Sequence, residues 1–325
     1  MVETGEKVFR ETPLKGAILT RVAASHVRFG TFQFLAAHKD IDAMSKLLDY
    51  CIKRHFPEIL DSPNKVIKFI ELVMSKQIDL IVNWMRVGFI HGVMNTDNST
   101  ICGETIDYGP CAFMDQYDHK AVFSSIDFQG RYAYGNQPAT IHWNLVRLTE
   151  SLLPLIDKDE SKSLEVAQST IDSFNNIFNK EWQNMMRLKL GLTDQSEEDE
   201  ELIKDLLSWM QSKKPDFTNT FANLMDSNHA NDEEFEENDF VEWKKNWKER
   251  VNNKDYLNIM KKTNPILIPR NSLVEEALHE AETIGKLDKF NELNKVIASP
   301  YNIEKAPKKY LDLSLIHISE PTRRK

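Results

Sequence analysis

The stretch HGVMNTDN, residues 91–98, decides how the chain is read. His91 and Asn98 stand seven positions apart, and Asp97 sits directly before Asn98. Nine positions beyond Asn98 comes Asp107, in TIDYG, with apolar Ile106 before it and Tyr108 and Gly109 after it. An amide oxygen and a carboxylate are hard oxygen donors, suited to the divalent cations that accompany nucleotide phosphates. The separation is short enough for a turn and a strand to bring both groups to one ion. Ahead of the stretch, DSPNKVIKFIELVMSKQIDLIVNWMRVGFIHG predicts a long helix, with Ser62 as N-cap and Pro63 at its first position. Val66, Ile70, Val73, Ile81 and Trp84 form its core-facing stripe. That helix delivers the chain directly into His91.

Kinase catalytic loops run His-x-Asp-x-x-x-x-Asn, where the Asp takes the substrate proton and the Asn holds a metal ion. His91 and Asn98 keep that spacing, and TIDYG matches the kinase Asp-Phe-Gly with Tyr108 for Phe. The position that should carry the base is Val93, which cannot accept a proton. Two readings stay open. The chain is a non-catalytic kinase relative, or Asp97 serves as base for a nucleotide that presents a different phosphorus. In LTRVAASHVRFG, Arg21 and Arg28 are seven apart. Planar guanidinium groups suit bidentate phosphate contacts, but this spacing alone reads as solvated surface arginines.

Around this centre the pattern is mostly helical. Residues 6–30 carry strand-like pieces, GAILTRVAA among them. DIDAMSKLLDYCIKRHF has helical spacing, STICGETIDYG predicts a turn and a short strand ending at Asp107, and a loop-rich region runs to about residue 141. Further helices are predicted over 142–156, 160–190, 197–212, 236–250, 271–283 and 287–298. The acidic stretches SEEDEE (196–201) and 226–239 read as solvated faces or linkers. Trp243 and Trp247, four apart, read as a packing pair.

The 325 residues carry 41% hydrophobic and 28% charged side chains and a net charge of −9. That charge argues against nucleic acid as a partner, since phosphate backbones need clustered Lys and Arg. No apolar run approaches the roughly 20 residues of a membrane span. Cys51, Cys102 and Cys111 show no CxxC pairing, which fits a reducing compartment and inert thiols. The first residues, MVETGEKVFRETPL, lack the apolar segment of a signal peptide. LSLIHISEPTR (313–323) resembles the translation of a sequencing adapter and is set aside from fold reasoning.

RVAASHVRFGTFQF, VGFIHGVMNTDNSTICGETIDYGP, GRYAYGNQP and NPILIPRNSLVEEAL together resemble the selenoprotein O family, also called the YdiU family. The resemblance runs, with gaps, from about residue 2 to about residue 303. It implies an α+β, mainly α fold: a protein-kinase-like fold, mostly the helical C-lobe, with the N-lobe missing. Residues 1–36 would be an inter-lobe remnant, 37–312 the C-lobe with a helical extension, and 313–325 a non-native tail. The family's members look like protein adenylyltransferases. They transfer AMP from ATP to Ser, Thr or Tyr hydroxyls of proteins, with the nucleotide flipped so that its α-phosphate meets the reaction centre. By motif match, Asp97 falls on the base, Asn98 and Asp107 on the ligands of Mg2+ or Mn2+, and Arg21 and Arg28 on arginines that grip the phosphates.

The sequence departs from the family's pattern in three ways. No glycine-rich segment or Lys–Glu pair precedes Arg21. The usual NHSD before GRYAY is SSID, with Asp127 kept, and the C-terminal cysteine or selenocysteine motif is absent. The chain is therefore expected to be a fragment, inactive alone, with apolar surface exposed near residues 1–36 where a lobe would pack. A nucleotide-binding pseudokinase and an ordinary phosphotransferase are the alternatives. The expected location is the bacterial cytoplasm, or the mitochondrion for a eukaryotic source.

Overall fold

The computed structural model describes residues 2–9, 13–226, 233–251, 253–302 and 307–311. Among them, β1 (Val2–Phe9) and β2 (Pro13–Ile18) form an antiparallel pair. Then come α1 (Phe29–Ala37), α2 (Ile41–His55), α3 (Lys65–Arg86), β3 (Phe89–Ile90) and β4 (Ala112–Phe113). The rest is helical: α4 (Gln137–Ile156), α5 (Glu160–Asp172), α6 (Phe174–Lys189), α7 (Asp199–Lys213) and α8 (Phe217–Met225). The last four are α9 (Asn238–Arg250), α10 (Tyr256–Thr263), α11 (Asn271–Thr283) and α12 (Asp288–Ile297). The described chain is thus α+β and mostly α. The adapter-like residues 313–325 lie outside it.

The organising element is α3. Its apolar residues recur every three or four positions, and Val66, Ile70, Val73, Ile81 and Trp84 are all buried, as their spacing predicts. Phe69, Met74, Ile78 and Met85 widen the stripe, so α4, α5 and α6 can all pack around one helix. The helix starts later than predicted, at Lys65 after Asn64. A preceding 3-10 turn (Pro57–Ile59) carries Ser62 and Pro63 in front of it. There the Ser62 carbonyl accepts from Lys65 N–H (3.2 Å) and its hydroxyl from Lys68 Nζ (3.1 Å). At the other end Gly88 takes φ +72, the left-handed conformation that turns the chain out of a helix.

Other departures have local causes. The predicted 160–190 helix is broken at Ser173, whose hydroxyl donates back to the Thr170 carbonyl (2.7 Å). GAILTRVAA is strand only as far as Ile18. The strand expected to end at Asp107 shrinks to one bridge, Ser99–Thr105, because Asp107 sits at φ +59, outside the extended region. Helices α1, α8 and α10 had no counterpart in the sequence reading. The Thr- and Asn-rich α8 is a poor intrinsic helix that Asp216 caps, accepting Asn219 N–H at 2.6 Å. Within SEEDEE, Asp199 is buried rather than solvated: Arg250 Nε donates to it at 2.8 Å. Trp243 and Trp247 stack at 6.3 Å, each indole N–H on a backbone carbonyl.

The C-terminal helices form a smaller core around Leu267, Ala277 and Leu293. Arg270 fastens this part to the rest. Its guanidinium is buried and pairs with Asp115 (2.7 Å), just after β4, and with fully buried Asp216. Val2, Phe9, Ile18, Leu19, Val22 and Phe34 expose much of their surface, as expected near the N-terminal end. Phe29 and Phe32 of α1, however, belong to the main core. Phe69→Ala is expected to cost about 3–5 kcal/mol in chemical denaturation, because it empties a site ringed by Phe32 and Phe56. Lys46→Ala, which removes an exposed i,i+4 pair with Asp42, should leave the denaturation midpoint essentially unchanged.

Candidate active site

The loop after α3 is irregular and buried, so its backbone groups need partners that no regular element supplies. Side chains provide them. Gln137, at the start of α4, accepts His91 N–H (3.1 Å) and donates to the Phe89 carbonyl (3.1 Å). Asn144 donates to the Met94 carbonyl and to the Ser99 hydroxyl, both at 2.9 Å. Gln77 of α3 donates to the Thr100 carbonyl at 2.6 Å. All three are buried.

His91 ties the loop to the segment that carries Asp107. Its Nε2–H donates to the Ile106 carbonyl (2.8 Å), and Nδ1 accepts Val93 N–H (3.3 Å). This is the neutral ring, with both nitrogens used. Its face stacks on Trp84 at 5.3 Å, and the Trp84 indole N–H donates to the Thr105 hydroxyl (2.9 Å). The antiparallel bridge Ser99–Thr105 completes the tie. Asn98 and Asp107 lie beyond the same end of that bridge. Asn98 donates its amide N–H to the Val93 carbonyl (2.9 Å), which leaves its amide oxygen outside that bond. Asp107 is exposed, and its carbonyl accepts Gly109 N–H at 2.8 Å.

The arginine segment is paired against the loop's exit. Phe29 N–H donates to the Ser99 carbonyl (3.0 Å) and Ile101 N–H to the Val27 carbonyl (3.2 Å), so Arg28 bridges Thr100. From there its Nη1 donates to the Asp97 carbonyl at 3.1 Å. Asp97 itself stands exposed in the 3-10 turn Thr96–Asn98. Arg21 reaches the centre by another route. It lines a cavity of about 810 Å3 together with Asp107, Tyr108 and Glu104, whereas Arg28, Asp97 and Asn98 lie outside its walls. The structure thus joins Arg28 to the Asp97 backbone and sets Arg21 and Asp107 on the wall of one cavity, while Asn98 adjoins Asp97 in the chain.

Two residues that the sequence reading passed over hold the Arg21 segment in place. Ala24 N–H donates to the Glu104 carboxylate (2.9 Å), and the Ala24 carbonyl accepts both Nε (3.0 Å) and Nη2 (2.7 Å) of Arg54. No sequence signal marks them, since both contacts run to backbone. Asp127, kept from the family's NHSD, closes its own loop by accepting Arg131 N–H (2.8 Å) and Tyr132 N–H (2.7 Å). The three thiols are unpaired, and burial pushes Cys51 up to about 12, which makes it inert at neutral pH.

Burial holds the His91 pKa below the usual histidine value of 6.5, against smaller upward pulls from the Ile106 carbonyl and Asp107. The folded protein therefore binds this proton less readily than the unfolded chain. The contribution is whole above about pH 6.5 and is lost as pH falls from there through the lowered value. Half-buried His55 has the same sign, so the comparison must be between variants. His91→Gln is expected to flatten the acid limb of a urea-denaturation pH series relative to the parent chain. At neutral pH it should cost about 1–3 kcal/mol, through imperfectly met hydrogen bonds at Ile106 and Val93.

Known proteins resemble this chain over nearly all of its length. A family model described as "Protein adenylyltransferase SelO" matches residues 1–298. A protein nucleotidyltransferase YdiU of Nitrosococcus oceani is 50% identical over 303 residues, 92% of this chain and 62% of that protein. One from Clostridium perfringens is 49% identical over 318 residues, 96% of this chain and 65% of that protein. One from Pelagibacter ubique is 49% identical over 306 residues, 93% and 63% respectively. The chain spans somewhat under two thirds of the length of these curated relatives. With nearly all of its length matched at about half identity, the chain belongs to the SelO family.

Proposed function

We propose that this chain carries the catalytic loop and metal-binding half of a protein adenylyltransferase, built as the helical lobe of a kinase-like fold. The observation that carries the reading is the pairing of Val93 with Asp97. The kinase base position holds a side chain that cannot take a proton, while four residues on stands Asp97, whose backbone carbonyl accepts from Arg28 Nη1 at the loop's rim. In this reading Asp97 accepts the proton of a Ser, Thr or Tyr hydroxyl on a protein substrate. The hydroxyl oxygen bonds to the α-phosphorus of ATP, the α–β bridging P–O bond breaks, and pyrophosphate leaves. Arg21 and the free N–H groups of Arg28 face the phosphates with fixed positive charge. The names of the relatives, protein nucleotidyltransferases, support this class of reaction.

The donor set suits a hard divalent cation such as Mg2+ or Mn2+. Asn98 keeps its amide oxygen out of the bond to Val93, and Asp107 presents an exposed carboxylate. When bound, such an ion would offset charge on the phosphates and the leaving pyrophosphate. Asn98 and Asp107 would hold it, and the His91–Ile106 bond keeps their two segments together. In the same reading residues 37–312 form the catalytic lobe and residues 1–36 face a second lobe.

The test incubates the chain, alone and joined to the portion of a YdiU relative that lies outside the match, with α-labelled or γ-labelled ATP and Mg2+ or Mn2+. From the joined protein, label from the α position and none from the γ position is expected, with Asp97→Ala slower by about 100-fold or more; the chain by itself is expected to transfer no label. Label from the γ position would make the protein a kinase. Nucleotide binding with no label from either would make it a sensing pseudokinase. A second prediction separates metal binding from backbone strain at Asp107. Asp107→Asn should keep the fold, because Asn tolerates φ +59, yet raise the Mg2+ concentration needed for half-maximal transfer. Asp107→Ala should lose the same function and also about 1–2 kcal/mol of stability on denaturation.

A further inference from the structure

Gly30 is the second residue of α1, and its φ lies outside the left-handed region. Backbone geometry therefore does not demand a glycine there, and a glycine weakens a helix relative to alanine. What accounts for it is the approach of Asp97. A Cβ at position 30 would lie 2.1 Å from Asp97 Oδ1 and 3.1 Å from its Cγ. The missing side chain opens a notch in the first turn of α1, and the Asp97 carboxylate rests in it.

The surroundings leave the carboxylate little choice. The Asp97 backbone is held by Arg28 Nη1 at its carbonyl. The start of α1 is held by Phe29 N–H on the Ser99 carbonyl and by Phe29 and Phe32, both fully buried. Neither the loop nor the helix can retreat cheaply from the other. A methyl group at position 30 would therefore move the one part still free to rotate, the Asp97 side chain. We infer that Gly30 is a positioning residue for Asp97, fixing the direction from which its carboxylate meets a substrate hydroxyl. This rests on the reading of Asp97 as the base.

The test compares Gly30→Ala, Asp97→Ala and the double variant, with structure and melting read on the full chain and transfer read on the chain joined to the portion of a YdiU relative that lies outside the match. The readouts are a crystal structure of Gly30→Ala, melting temperatures, and α-label transfer with kcat and KM for ATP separated. The Asp97 carboxylate is expected to shift by roughly 1 Å to regain an ordinary contact distance. The melting temperature should be unchanged or raised, because alanine is the better helix former. In transfer, kcat should fall about 100-fold, with KM for ATP unchanged, as expected for a misplacement of that size. The double variant should be no slower than Asp97→Ala, since both changes act through one carboxylate.

Full turnover by Gly30→Ala beside a crippled Asp97→Ala would overturn the positioning role and leave the base reading standing. Full turnover by Asp97→Ala would instead remove the base reading, and the positioning role with it. The crystal structure decides independently of activity. An Asp97 carboxylate unmoved in Gly30→Ala, or a lowered melting temperature from a displaced α1, overturns the inference.

Discussion

An irregular backbone cannot be buried unless each of its polar groups finds a partner, and this constraint governs the centre of the molecule. From Phe89 to Ile106 the chain makes a two-residue strand, one 3-10 turn and isolated bridges, yet much of it is buried. Gln77, His91, Gln137 and Asn144 supply the missing donors and acceptors. Three of them come from helices otherwise devoted to apolar packing, Gln77 from α3 and Gln137 and Asn144 from α4. The core of α3 therefore does more than stabilise the fold: it fixes where Gln77 and Trp84 stand, and through them Thr100, Thr105 and His91. Loss of any one amide would leave a buried carbonyl unmet, which costs more than the bond itself returns.

The periodic elements were legible in the sequence because burial writes a repeat into them. The stripe of α3, helix α2 and the range of α11 could all be read from spacing. Elements whose reason lies elsewhere in the fold were not. Helix α8 depends on a cap whose carboxylate is itself held by Arg270, 54 residues on. The break at Ser173 depends on one hydroxyl turning back on its own helix. Asp199 sits within a run of acids and is buried only because Arg250, 51 residues away, comes to meet it. The short strand at Asp107 failed for a backbone reason that no side-chain pattern announces.

The candidate site divides in the same way. His91, Asp97, Asn98, Asp107, Arg21 and Arg28 were legible as candidates because chemistry restricts the residue types that can serve, and because a resemblance ranked the arginines. The residues that hold them were invisible. Arg54 and Glu104 act on the two sides of the Ala24 peptide, and a backbone partner leaves no trace in sequence. The reading of His91 also changes with the structure in view. The spacing made it a motif residue beside the reaction, whereas the geometry makes it a buried, neutral strut with both ring nitrogens committed.

That commitment bears on how the loop can do chemistry at all. A histidine whose two nitrogens are used, and whose protonation burial disfavours, is poorly placed to trade protons with a substrate. Val93 cannot. The loop's remaining acid is Asp97, the proposed base, exposed on a short turn rather than within the core. Exposure leaves a carboxylate free to wander, and a wandering base loses the advantage of position. The contacts around Asp97 answer that problem from outside the loop. Arg28 takes its backbone carbonyl, and α1 comes close enough that only a glycine fits beneath its carboxylate. The segment proposed to grip phosphate and the helix that follows it thus also brace the proposed base, so nucleotide contact and proton acceptance share one piece of chain.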